Sequence, residues 1–113
     1  MVGEQAVKDG ILAALEAWWV RNADRLERRG LDVTIAWGPE EYEPRSGWID
    51  LEALPRSARL VVWSDGEAEL AAGDLETLEV FRDEHLRIVD GPHLDATMES
   101  ILRLLLPAGR DNG

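Results

Sequence analysis

The sequence predicts an α+β domain in two layers: an N-terminal helix, an antiparallel meander of about five strands, and a C-terminal helix. Three observations predict it. Apolar residues recur at helical spacing near both ends of the chain and at strand spacing between them. The period-two segments follow one another through short turns, which join antiparallel neighbours and leave no room for crossover helices. With 113 residues, 45% of them hydrophobic, the chain can bury a real core. That length suits one folding unit, residues 1–113, and is too small for two independent cores.

The first helix is expected over residues 4–29. Leu12, Leu15, Trp19, Ala23 and Leu26 form its apolar stripe, widened by Ile11 and Trp18, while Arg21, Asp24, Arg25, Glu27 and Arg28 keep the opposite side wet. Gly30 supplies the stop. The sheet is expected over residues 31–88. It opens with Leu31, Val33, Ile35 and Trp37 alternating with Asp32, Thr34 and Ala36, the pattern of a half-buried strand. Residues 38–47, GPEEYEPRSG, read as a loop because two prolines and two glycines interrupt any period. A second strand follows, with Ile49, Leu51 and Ala53 on one side and Trp48, Asp50 and Glu52 on the other.

Beyond Pro55, two more strands flank Asp65-Gly66, a dipeptide suited to a two-residue hairpin turn. Such a turn pairs Ser64 with Glu67 and Trp63 with Ala68. It sends Val61, Trp63, Ala68, Leu70 and Ala72 to the core, and Leu60, Val62, Glu67 and Glu69 to the other face. The last strand is expected over residues 77–87, with Leu78 and Val80 inward and Glu79 and Phe81 outward. Asp90-Gly91-Pro92 opens the closing helix, residues 92–106, whose stripe is Leu94, Met98, Ile101, Leu102 and Leu105. The face turned away from the helices is then an apolar centre rimmed with carboxylates, the composition of a contact surface or of a homodimer interface.

The charge map excludes several function classes. The chain carries −11, and residues 39–99 hold sixteen acids against five bases. That field repels nucleic acid and anionic membrane surfaces and attracts basic proteins. Zero cysteines remove disulfides, thiol catalysis and Cys-based metal sites. No apolar run is long enough to span a membrane and no secretory leader is visible, so a soluble, cytoplasmic protein is expected. Glycine-rich phosphate loops, HExxH and GxSxG are all missing. His85 beside Asp83 and Glu84, with His93, matches no metal-ligand spacing. A flat sheet face is also a poor cleft for the Glu67 and Glu69 pair to act as a glycosidase. Neither catalytic residues, nor a cofactor, nor a metal is expected.

Several segments in this order resemble the TriTu-type immunity proteins of bacterial polymorphic toxin systems. They are the helix with Trp18-Trp19, Arg25-Leu26 and Gly30-Leu31; Ser46-Gly47-Trp48-Ile49-Asp50-Leu51; the hairpin from Val61 to Leu70; and Asp74-Leu75-Glu76-Thr77 with Glu84-His85. The resemblance implies a non-enzymatic protein that binds a cognate toxin domain and blocks it by covering its active or substrate-binding surface. No family contact motif transfers to Trp63, Gly66 or His85, which are read as structural. A basic toxin cleft would complement the acidic middle of the chain. The expected contact residues are Trp48, Asp50, Glu52, Glu67, Glu69 and Phe81 on the mixed face, with Glu41, Tyr42 and Glu43 in the adjacent loop. The alternative is a small homodimeric structural or regulatory domain that buries this face against a second copy.

Overall fold

The computed structural model describes residues 10–106, so residues 4–9 of the expected first helix and the stop at Pro107 lie outside the description. Helix α1 (Ile11–Arg28) buries Leu12, Leu15, Trp18, Ala23 and Leu26. Of the paired tryptophans it is Trp18 that enters the core. Trp19 lies half-buried at the edge of the stripe, where its Nε1–H donates to the Val33 carbonyl at 3.3 Å. Gly30 ends the helix with φ of 93°. Its N–H donates to Glu27 O, and that of Leu31 to Leu26 O, the paired bonds of a Schellman cap. Leu26 and Leu31 are both buried at this exit.

Five strands follow: β1 (Asp32–Trp37), β2 (Ser46–Ala53), β3 (Arg56–Trp63), β4 (Glu67–Asp74) and β5 (Val80–Arg87). They lie in sequence order in one antiparallel sheet, the expected meander. Helix α2 (Gly91–Leu105) closes the described fold. Asp90 caps it by accepting the His93 N–H at 2.9 Å, and Pro92 sits in its first turn. Packing of α1 on β1, β2 and β3, of α2 on β3, and of the helices on each other puts both on one side of the sheet. That side holds the core: Val33, Ile49, Leu51, Leu60, Val62 and Leu70 are buried against Leu15, Trp18, Leu94, Met98 and Ile101. Gly47 makes room in it. A Cβ there would stand 2.5 Å from the Trp37 ring and 3.3 Å from Leu15 Cδ2.

The β3–β4 hairpin differs from expectation by one residue. Val62 pairs with Ala68, Val61 with Glu69 and Leu60 with Leu70. The loop is Ser64-Asp65-Gly66, in which the Gly66 N–H donates to Trp63 O at 2.8 Å and Gly66 has φ of 94°. Gly66 is thus the left-handed third residue of a longer turn. The side-chain period is two, so the shift inverts β3. Ala58, Leu60 and Val62 are buried, whereas Val61 and Trp63 face away from the helices. The inversion has a measurable consequence. Leu60→Ala should cost about 2–5 kcal/mol in chemical denaturation, against about 1–2 kcal/mol for Trp63→Ala. The two-residue turn requires the reverse order.

A second difference lies at the start of β5. Pairing steps from Ala72 with Arg82 to Gly73 with Val80, leaving Phe81 as the extra residue of a bulge. Phe81 therefore turns to the helix side and packs half-buried against the core, with the Arg56 guanidinium 5.3 Å over its ring. Leu78 and Val80, expected inward, are 79% and 68% exposed. No helix among the described residues is long and apolar enough to cross a membrane.

Candidate functional site

The register lines up side chains in rows across the face that the helices leave open. One row runs Ala36, Trp48, Val61, Glu69, His85; the next runs Thr34, Asp50, Arg59, Ala71, Asp83; the third runs Asp32, Glu52, Ser57, Gly73, Val80. Trp48, Asp50, Glu52, Glu67 and Glu69 thus share one face, as expected. Phe81 is the exception among the strand candidates, for the bulge has taken it to the helix side. Glu41, Tyr42 and Glu43 are exposed in the loop between β1 and β2. That loop is tied to the β3–β4 turn, since Arg45 O accepts from Ser64 N at 2.7 Å and Arg45 N donates to Ser64 Oγ at 3.0 Å. It therefore adjoins the Trp63 end of the face.

Arg59 organises the centre. Its guanidinium donates to both carboxylate oxygens of Asp50, at 2.6 and 2.9 Å, and its carbon lies 5.5 Å from the centroid of the Trp48 ring. The bidentate bond to Asp50 drives the Arg59 pKa above its ordinary value, and the stacked cation holds the indole against the sheet. At the loop end, Glu67 accepts from Arg87 and meets His85 Nε2. Arg87 also donates to Asp65 O at 2.9 Å, while His85 Nδ1 lies 3.7 Å from Glu69 Oε2. Two glutamates thus address opposite nitrogens of one ring, a geometry that cannot place all three groups on one ion. No group of three or more metal-ligating side chains converges among the described residues.

These pairings redistribute the charge expected from the sequence. Asp50 is matched by Arg59, and Glu67 by Arg87 and His85. The negative surplus on the face comes from Glu52, Glu69 and Asp83 and, at the far end, from Asp74 and Glu79. The Asp74 carboxyl is held below its ordinary pKa because Oδ1 accepts backbone N–H bonds from Thr77 and Glu76. Spacing alone could not reveal Arg59, Val61, Trp63, Leu78 and Val80 as members of the face. The signal available was the S-D-G turn: read as three residues ending on a left-handed glycine, it places Arg59, Val61 and Trp63 outward.

His85 gives the face a pH dependence. Its bond to Glu67 comes first, and the Glu67 and Glu69 charges add to it; together they raise the imidazole pKa above 6.5. A raised folded-state pKa contributes stability fully below the unfolded value and loses it as pH rises through the folded one. Thermal melts should therefore separate wild type from His85→Gln at about pH 5.5 and bring them together at about pH 9. A gap that persists at high pH would mean that the proton on His85 is irrelevant to the contact.

The profile of the family described as immunity protein TriTu matches residues 13–103. The chain belongs to the TriTu immunity protein family. The match runs from the first turn of α1 to the last turn of α2, so it includes the whole sheet and its open face. TriTu membership carries an immunity function in general terms, and with it a toxin as the class of partner. No match was found among curated proteins or among solved structures.

Proposed function

We propose that this TriTu protein neutralises a cognate bacterial toxin domain by binding it and occluding its active or substrate-binding surface. One observation carries the reading. A five-stranded sheet has both helices on one side, and its other side presents Trp48, Val61 and Trp63 among Glu52, Glu69 and Asp83. Apolar anchors at the centre supply most of the binding energy of such a surface, while a charged rim speeds encounter. With a net charge of −11, the chain suits a basic toxin cleft whose natural occupant is polyanionic. Glu41, Tyr42 and Glu43 extend the surface beyond Trp63. The activity is binding in the cytoplasm of the producing cell, and no bond is made or broken.

The test is coexpression with the toxin domain encoded beside this gene, together with binding of the two purified proteins. Cells carrying both genes should survive, and the toxin should lose activity in proportion to complex formed. Continued killing without complex formation refutes the reading. Self-association through the open face is the competing reading. Light scattering across concentration separates the two, because a dimer built on this face would dissociate on Trp48→Ala.

A further inference from the structure

We propose that the groove at the Leu78 end of the open face is the seat for one arginine or lysine side chain of the toxin domain, carried between aliphatic neighbours. The inference rests on the toxin-binding reading above and adds the chemistry that the face recognises. Ser57 and Ala71 present small side chains on the outer face beside Gly73, over which the Glu79 carbonyl closes, and a depression of about 510 Å³ lies against them. Leu75 and Leu78 border it from the β4–β5 connection and Val80 from the start of β5, 57%, 79% and 68% exposed. Three aliphatic side chains so open to water at one end of a sheet mark a contact site rather than chance exposure.

The rim sets the sign of the occupant. Glu52, Glu79 and Asp83 border the groove and form no ion pair among the described residues. Two arginines also border it, but Asp50 holds Arg59 and Glu84 holds Arg82. The surplus is therefore negative around an apolar floor. A long cationic side chain has the matching form, an aliphatic stem ending in a charged head. An anionic occupant would meet three like charges.

The groove is also prepared in advance. Asp74 Oδ1 accepts the N–H groups of Glu76 and Thr77 at 2.8 and 2.9 Å, Asp74 O accepts that of Leu78 at 2.8 Å, and Pro55 O accepts that of Leu75 at 2.7 Å. These bonds fix the connection before any partner arrives and so reduce the ordering cost of binding. Leu78 is held at φ of 66°, a conformation that suits glycine or asparagine and that leucine rarely adopts. An exposed leucine kept in a strained position has no part in the core, which directs attention to its side chain as a contact.

The experiment measures calorimetric affinity for the catalytically inactivated toxin domain encoded beside this gene, using wild type, Leu78→Gly, Asp83→Asn, Asp83→Lys and Trp48→Ala. Leu78→Gly removes the aliphatic wall and gives the backbone its preferred residue, so it should melt at or above the wild-type temperature yet bind at least about tenfold more weakly. Asp83→Lys should weaken binding more than Asp83→Asn. If Trp48→Ala weakens binding while Leu78→Gly and both Asp83 variants keep wild-type affinity, the face docks the toxin without this groove and the inference is overturned alone. Tighter binding by Asp83→Lys overturns it too, since the occupant is then anionic. If wild type itself does not bind the toxin domain, the underlying reading fails and the inference falls with it.

Discussion

Trp48→Ala is expected to weaken binding of the toxin domain by about thirtyfold or more, almost entirely through faster dissociation. Truncating a central aromatic anchor costs about 2–4 kcal/mol at interfaces of this kind, and a factor of ten corresponds to about 1.4 kcal/mol. Trp48 meets the requirements of an anchor: it is half-buried, stacked on Arg59 and flanked on the neighbouring strand by Val61. Stacking matters for the energy because a ring already fixed loses little freedom when a partner covers it. Glu52→Lys with Glu69→Lys should act on the other rate. Those carboxylates lie on the rim, so reversing them should slow association and flatten its salt dependence while leaving dissociation nearly unchanged. Stopped-flow rates at two salt concentrations check both. Melting temperatures should stay near wild type, because neither change reaches the helix-side core.

The largest effect on stability is expected from Trp18→Ala, about 3–5 kcal/mol, the range for removing a buried large aromatic side chain. Trp18 is 2% exposed on the face of α1 that meets the sheet. Its neighbour Trp19 is half-buried, with one indole hydrogen bond to the β1 backbone, and Trp19→Ala should cost clearly less. Urea denaturation of the two single variants measures the difference directly. Equal losses would mean that both indoles share the core and that α1 is rotated from the orientation described.

Periodicity made most of the fold legible. Val33, Ile49 and Leu51 sit in the core because strict alternation leaves a strand only two faces, and the helix stripes of Leu12, Leu15 and Leu26 or Leu94, Met98 and Ile101 are equally unambiguous. What escaped was decided by single-residue insertions that leave the pattern intact. Asp65-Gly66 suits a two-residue turn, but Gly66 served as the third residue of a longer one, and every side chain of β3 changed face. The bulge at Phe81 acted likewise, taking an aromatic residue into the core margin and sending Leu78 and Val80 into water. The one local cue to the β3 register is the left-handed glycine that ends its turn; Val61 and Val62 are otherwise equally apolar, and the choice between them rests on contacts with helices distant in the chain. The carboxylates of the candidate site were legible from alternation in β2 and β4. Their neutralisation by Arg59 and Arg87 was not, since it depends on cross-strand register.

The five tryptophans offer the most direct test of where the partner docks. Trp48 and Trp63 lie on the open face, whereas Trp18 and Trp37 belong to the helix side and Trp19 is bonded to β1. Their indole N–H resonances, followed by heteronuclear NMR as unlabelled inactivated toxin domain is added to the 15N-labelled protein, report on both surfaces at once. If the toxin docks on the open face, the Trp48 and Trp63 signals shift or broaden on complex formation and those of Trp18 and Trp19 stay in place. Movement of the Trp18 and Trp19 signals with Trp48 and Trp63 unchanged would put the toxin on the helix side and contradict the account.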